Sequence, residues 1–306
     1  MYRLLSICLV ALLTGPAGAL AQEPDAGPHE PSVENGRYIY IAAGCGSCHA
    51  APASEKCDDP KTKDDFKPVG GRCLKTGFGT FYVPNITPNE ETGIGGWSEQ
   101  DFIKAITQGI SPTGKNYYPA FPYSSYQRMK RTDLVDLWTF LKTLEPVSSI
   151  VPDHALSFPY SIRRGLSIWK ALYLDGKPFT PDPKKSAKVN RGAYLVEGPG
   201  HCGECHTPRN FMGGKIETKK FSGGPSPEGK GYIPNITPDK SGIGSWSEKD
   251  IVFALETGFL PNGDVIGGTM AKVQENMAQL TAEDREAIAA YLKSVPPVAS
   301  DRPKTN

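Results

Sequence analysis

Two pentapeptides carry the chemistry of this chain: Cys45-Gly46-Ser47-Cys48-His49 and Cys202-Gly203-Glu204-Cys205-His206. Two thiols three positions apart lie on one side of a helical turn. There both can add to the vinyl groups of one porphyrin, and the next residue, a histidine, lies under the ring to ligate its iron. Cys-x-x-Cys-His is thus the attachment signature of a c-type haem. The expected cofactors are two haem c, bonded through Cys45 and Cys48 and through Cys202 and Cys205, with His49 and His206 as iron ligands. A zinc site and a redox dithiol are the competing readings of Cys-x-x-Cys. Zinc wants a second ligand pair close by, and none follows the second pentapeptide. A thioredoxin-like dithiol sits in an alternating strand–helix pattern, which this sequence lacks.

Elements must bring each pentapeptide to its haem. Val33 to Ala43 reads as a short helix delivering Cys45, and Asn190 to Val196 reads as its counterpart, with Gly192 and Tyr194 matching Gly36 and Tyr38. Repetition continues downstream. Pro84-Asn85-Ile86-Thr87-Pro88 recurs as Pro234-Asn235-Ile236-Thr237-Pro238, and Gly93-Ile94-Gly95-Gly96-Trp97-Ser98-Glu99 as Gly242-Ile243-Gly244-Ser245-Trp246-Ser247-Glu248. Repetition on this scale implies duplicated domains, one per haem. After each Trp, Ser98 and Ser247 are N-cap candidates with Asp101 and Asp250 three positions on. The helices they open, Asp101–Gln108 and Asp250–Thr257, stop at Gly109 and Gly258. A further apolar-striped helix closes each domain, Thr132–Leu144 and Thr281–Val295.

Length and composition agree. The chain of 306 residues suits two domains, and 38% apolar residues is modest unless a flat apolar cofactor serves as core. Its 33 glycines and 28 prolines favour long ordered loops, and a formal charge of +1 makes no case for nucleic-acid binding. The fold expected is all-α, with two tandem class I cytochrome c-like domains, each wrapped around one covalently attached haem. Domain 1 spans 33–146 and domain 2 spans 188–297. The linker 147–187 holds a short amphipathic helix within Phe158–Leu174, and 298–306 is a tail. Arg163, Arg164, Trp169 and Lys170 of that helix either pack the domains together or dock on a partner, and packing is the favoured reading.

Residues 1–21 read as a secretory signal: Arg3, the apolar run Leu4 to Leu13, and the Ala19-Leu20-Ala21 cleavage site before Gln22. The run is shorter than the roughly 20 residues of a membrane span, although an uncleaved anchor is the alternative. Gln22 to Ser32 is then a mobile leader. Export places the protein in the periplasm, where c-type haem is attached. Seven cysteines resolve accordingly: four for haem, Cys8 lost with the signal, and Cys57 and Cys73 flanking a polar insert. In an oxidising compartment these two are expected to pair as a disulfide, the alternative being a thiolate ligand to iron.

Each iron needs a further ligand. A methionine thioether gives an electron-transfer haem of raised potential. In domain 2, Met270 follows Gly267-Gly268-Thr269, flexible backbone suited to a distal loop, whereas Met277 reads as packing under the last helix. The chain resembles the dihaem or multihaem cytochrome c subunits of membrane-bound alcohol and gluconate dehydrogenases over nearly its whole mature length. The resemblance rests on both haem motifs, both Asn-Ile-Thr-Pro segments, both Gly-Ile-Gly-x-Trp segments, Tyr118-Pro119-Ala120-Phe121-Pro122-Tyr123 and Gly268-Thr269-Met270. It implies that Met270 ligates haem two. Domain 1 departs from the family pattern, because Phe121 stands where the ligand Met is expected. Either Met129 supplies the first iron from a rearranged loop, or that haem is five-coordinate or ligated otherwise, with His154 a weaker candidate. Arg209, Asn85, Asn235, Trp97 and Trp246 are candidates to bond haem propionates, or else hold turns.

The expected function is electron carriage from a partner dehydrogenase to quinone or a terminal oxidase, with a membrane complex as a further association and no substrate chemistry of the chain's own. No Ser/His/Asp set, phosphate loop or carboxylate pair competes. The alternative is a haem enzyme, peroxidase-like or thiosulfate-oxidising, using an open or Cys-ligated first haem. The segment Gly114–Tyr126 offers no distal histidine for acid–base work.

Overall fold

A computed structural model describes residues 29–300, apart from 60, 228 and 230. The signal reading of 1–21 and the residues 301–306 of the tail lie outside the described residues. Eleven α-helices are described. In the first half, α1 (Val33–Ala42) leads to the motif helix α2 (Cys45–His49), followed by α3 (Glu99–Gln108), α4 (Tyr123–Tyr126) and α5 (Arg131–Leu141). After the connecting helix α6 (Leu166–Tyr173) come α7 (Ala187–Glu197), the motif helix α8 (Gly203–His206), α9 (Glu248–Thr257), α10 (Thr269–Met277) and α11 (Ala282–Ser294). No described helix is long and apolar enough to cross a membrane.

Local sequence explains these boundaries. Ser98 and Ser247 each complete a capping box, accepting from the backbone N–H of Asp101 and Asp250 while those carboxylates accept in return. Both helices then end on a left-handed glycine, Gly109 at φ 61° and Gly258 at φ 80°. The first helix of each half crosses the last at a glycine. A Cβ on Gly36 would stand 2.0 Å from the Asp136 carbonyl oxygen, and one on Gly192 would stand 1.9 Å from that of Ala287. Glycine at these points lets two backbones touch, and larger side chains fill the space around the crossing.

Two apolar clusters follow from these crossings. One gathers Ile39, Tyr40, Phe102, Met129, Leu134 and Phe140. The other gathers Tyr194, Val196, Phe221, Ile251, Met277 and Ile288. The all-helical expectation is exceeded by two small sheets. Strand β1 (Cys73–Thr76) pairs antiparallel with β2 (Gly79–Tyr82), Leu74 opposite Phe81, and β2 pairs with β3 (Ala155–Leu156). A second ribbon joins β4 (Gly224–Pro225) to β5 (Tyr232–Ile233). The hairpin forms because Gly77-Phe78-Gly79 supplies a turn, with Gly79 at φ 121°, between strands that bury Cys73 and Phe81. The Cys57–Cys73 disulfide expected from the sequence is present and ties the polar insert to the start of β1.

The connecting segment is built into the body. Its β3 extends the hairpin, and Leu166 of α6 packs on Phe81 and Tyr118. Lys170 Nζ donates to the carbonyls of Gln108 and Gly109 and to Asn116 Oδ1, each at 2.7 Å, so an ammonium group sits at the carbonyl end of α3. Trp169 Nε1 reaches the Met212 carbonyl in the second half at 3.0 Å. Arg163 donates to the Asn116 carbonyl at 2.7 Å and lies over the Tyr118 ring. Arg163, Trp169 and Lys170 thus take the packing role favoured for the segment, whereas Arg164 is exposed.

Candidate haem-binding sites

Each motif helix starts where the preceding helix is turned sharply. Gly44, left-handed at φ 61°, separates α1 from Cys45. In the second half the residue before Cys202 is His201, at φ 39°. In both motifs the histidine finds the same kind of partner: Nδ1 of His49 is 2.8 Å from the Pro84 carbonyl, and Nδ1 of His206 is 2.8 Å from that of Pro234. A carbonyl can only accept, so Nδ1 carries the proton and Nε2 keeps its lone pair. That tautomer and orientation are what an iron ligand requires. Although the His49 ring is partly open on one side, packing on the others strips it of water and pulls its pKa down to about 4; burial lowers His206 likewise. Both imidazoles are neutral near pH 7, the form that binds metal.

The prolines that hold the histidines open the repeated Pro-Asn-Ile-Thr-Pro segments. The carbonyl used was not anticipated from the sequence, though the repetition was its signal. The asparagines that follow are committed to the turn. Asn85 Oδ1 accepts from the Thr87 N–H at 2.9 Å, and its Nδ2 donates to Thr92 Oγ1 and the Val147 carbonyl. Asn235 does the same with Thr237, Ser241 and the Val298 carbonyl. Both amides are spent on holding turns, the alternative to a propionate role. Arg209 is also engaged locally, with Glu204 and the Gly213 carbonyl. The carbonyl of the third motif residue is capped by a guanidinium in each half: Ser47 by Arg72, and Glu204 by Arg209 at 2.8 Å. Arg72, only 5% exposed, was not singled out in the sequence.

The four motif cysteines take part in no disulfide, unlike Cys57 and Cys73. Burial pushes the Cys45 and Cys202 thiols up to about 12, the reverse of the depressed pKa of a reactive dithiol. Among the described residues no group of three or more His, Cys, Asp and Glu side chains gathers as a metal cluster. Protonated thiols at one turn, beside an imidazole with Nε2 unengaged by its Pro contact, fit thioether attachment of a haem at both places. Cys45 and Cys48, Cys202 and Cys205 would hold the rings, and His49 and His206 would meet the irons.

The distal side is asymmetric. Tyr117 N–H donates to the Gly109 carbonyl at 2.7 Å, and Ile266 N–H donates to that of Gly258 at 2.8 Å. Counting on equally from these two bonds brings Phe121 and Met270 to the same register. Met270 is half-buried in the first turn of α10, just after Gly268 at φ 59°. Met129 is 3% exposed, inside the first cluster. It immediately precedes the N-cap Lys130 of α5, as the buried Leu280 precedes the N-cap Thr281 of α11. Met277 is buried in the second cluster. His154 accepts from the Tyr82 N–H at 3.2 Å and packs on Phe81 and Tyr118.

The halves grip each other reciprocally. Tyr38 donates to Asp284 at 2.5 Å, and Tyr194 donates to Asp133. The same hydroxyls accept from the N-cap N–H groups of Thr281 and Lys130, each at 3.3 Å. Asn276 of α10 donates to Ser47 Oγ at 2.8 Å. At the corresponding motif position, Glu204 accepts from Ser124 and Ser125 of α4 at 2.8 and 2.5 Å and is paired with Arg209 and Lys215.

Two Cys-x-x-Cys-His turns, each with a histidine oriented through Nδ1, are the pattern expected of a c-type cytochrome. The sequence pattern of the cytochrome c family matches residues 33–145. The chain is 46% identical over 266 residues to a protein of Cereibacter sphaeroides named diheme cytochrome c-type, covering 87% of this chain and 86% of that one. This chain belongs to the cytochrome c family. It is also 37% identical to the fructose dehydrogenase cytochrome subunit of Gluconobacter japonicus, covering 89% of this chain and 54% of that one. It is 33% identical to the gluconate 2-dehydrogenase cytochrome c subunit of Pantoea cypripedii, covering 94% and 64%. The chain thus spans between half and two thirds of those two subunits.

Proposed function

We propose that this chain is a periplasmic dihaem cytochrome that carries electrons from a partner dehydrogenase to quinone or a terminal oxidase. Haem c supplies a one-electron iron couple. The chain's own residues attach it, orient it and set its surroundings. Cys45 and Cys48 hold the first haem and Cys202 and Cys205 the second, within tandem domains 33–146 and 188–297 joined by 147–187. The His49 and His206 imidazoles, oriented by the Pro84 and Pro234 carbonyls, would each offer Nε2 to an iron, and that paired orientation is the observation that carries the reading. The names of the relatives support a dehydrogenase as donor. A disulfide in the described chain supports the exported location argued from residues 1–21. Exposed Phe158, Ile162, Ile168 and Leu172 on the connecting segment give a partner an apolar surface.

Met270 is proposed as the second axial ligand of the second haem. Production in a host competent for haem attachment should give two haems per chain by alkaline pyridine spectroscopy. Met270→Ala should lower one midpoint potential and remove the weak charge-transfer band of a Met-ligated ferric haem. A colourless product, or an unchanged band assigned to the second haem, refutes the corresponding part.

The Phe121 register supports a second reading, in which the first haem is open. Met129 is the only methionine of residues 33–146, and its use would require the turn Tyr126–Lys130 to leave the core. Carbon monoxide separates the two: rapid binding of one equivalent to the reduced protein marks an open or labile first haem and leaves room for peroxidase-like chemistry. No binding marks Met129 or another strong ligand.

A further inference from the structure

Two residues at the boundary between the halves break the repeat. Tyr126 stands four positions before the N-cap Lys130, where the second half has Met277 before Thr281. His201 stands directly before Cys202, where the first half has Gly44 before Cys45. The fold therefore manages with Met and Gly at these places. Yet Tyr126 and His201 meet each other: their rings pack edge-on with centroids 5.4 Å apart.

Each ring is anchored toward its own haem turn. Tyr126, 7% exposed, donates its hydroxyl to the Ala43 carbonyl at 2.9 Å, two residues before Cys45. His201 is continuous with Cys202. It keeps a left-handed backbone, φ 39°, that strains a non-glycine residue, and its Nδ1 is fixed by the Pro199 carbonyl at 2.8 Å. Strain retained where the sister motif uses glycine points to function. The contact is also clamped. Ser124 and Ser125, next to Tyr126, bond Glu204, three residues beyond His201.

We propose that Tyr126 and His201 form the bridge through which electrons pass between the two haems, an inference that rests on haem attachment at both motifs. The route runs from Cys45 along the backbone to Ala43, across one hydrogen bond to Tyr126, ring to ring to His201, and on to Cys202. One electron leaves the ferrous iron of one half and reduces the ferric iron of the other. Neither ring is itself oxidised, no bond breaks and no proton moves.

The test uses the complete holoprotein, after two haems per chain have been counted. A deficit there defeats the functional reading and the bridge with it, whereas a full count leaves the bridge to be decided by the rates below. Tyr126→Met and His201→Gly install the residues the fold already accepts at the corresponding places, and Tyr126→Phe keeps the ring but loses the bond to Ala43. Inter-haem transfer is read by flash reduction, with exchange between haem-methyl NMR signals in the half-reduced protein as a second measure. Both substitutions should slow transfer severalfold at unchanged midpoint potentials, Tyr126→Phe should slow it less, and the double variant should lose little beyond the worse single one, since both act on one route. An unchanged rate in Tyr126→Met and His201→Gly overturns the bridge. So does a slowing fully accounted for by shifted potentials.

Discussion

Substituting alanine for Gly192 tests whether the close crossing of the first and last helices holds each half together. The added Cβ would lie 1.9 Å from the Ala287 carbonyl oxygen, 2.4 Å from its carbon and 2.8 Å from Tyr291 Cβ. Ordinary contact begins at 3.4 Å, so the crossing must open by roughly 1.5 Å, the difference between 3.4 and 1.9 Å. The obstacle is helical backbone, which cannot rotate aside. Overpacking of this kind costs about 1–3 kcal/mol, and a rigid obstacle places it near the upper end. Alanine returns about 1 kcal/mol through its better helix propensity. The net loss should be about 2 kcal/mol. Guanidinium unfolding of the holoprotein, followed by far-UV circular dichroism, measures it. Gly165→Ala is the control. Gly165 has φ −61° and no atom within 4 Å of the added carbon, so it should gain about 0.4–1 kcal/mol. A Gly192→Ala protein as stable as the parent, or a Gly165→Ala protein as damaged, refutes the crossing argument.

Glu204 predicts a pH dependence. Burial alone would raise its pKa, but Lys215, Arg209 and the Ser125 hydroxyl outweigh burial and hold the carboxyl well below the usual range. Because the folded value is depressed, its stabilisation is complete above the unfolded carboxylate pKa of about 4.3 and declines as pH falls below that value. Denaturation midpoints at pH 7 and pH 4 should therefore differ more in the parent than in Glu204→Gln, and equal differences would count against the argument. Glu204→Ala, which leaves Arg209 and Lys215 facing a gap, should cost about 3–5 kcal/mol at pH 7. Replacing Cys57 and Cys73 together by alanine opens a loop with a sequence separation of 16 and should cost about 3 kcal/mol in denaturant unfolding. Haem content should not change, since the disulfide lies in the insert.

Local features were readable from the sequence. Motif spacing announced the attachment turns, Ser98 and Ser247 announced helix starts, and Gly109 and Gly258 announced helix ends. These are decided within a turn or two of chain. Long-range partners were not readable. His49 and Pro84 are 35 residues apart, and Tyr38 and Asp284 are 246 apart. Nothing local in a tyrosine indicates which distant carboxylate it will meet. The hairpin at Cys73–Tyr82 escaped because its segments are short and its stability comes from β3 and from Leu166, both supplied by the connecting segment.

Repetition narrows that gap in a way a single domain cannot. Where the two halves agree, as at Gly36 and Gly192 or Tyr38 and Tyr194, the agreement marks a structural demand of the fold, and the reciprocal contacts of those residues bear this out. Where they disagree, one half shows that the fold does not need the residue found in the other. Phe121 against Met270, Ser47 against Glu204, Gly44 against His201 and Met277 against Tyr126 are such pairs. The divergent residues gather around the two attachment turns: Glu204 bonds the serines beside Tyr126, Tyr126 packs on both Phe121 and His201, and Asn276, beside Met277, bonds Ser47. Divergence of these four pairs at the junction of the two Cys-x-x-Cys-His turns is the arrangement that the proposed pair of haem sites would need if they were to differ in ligation and still exchange electrons.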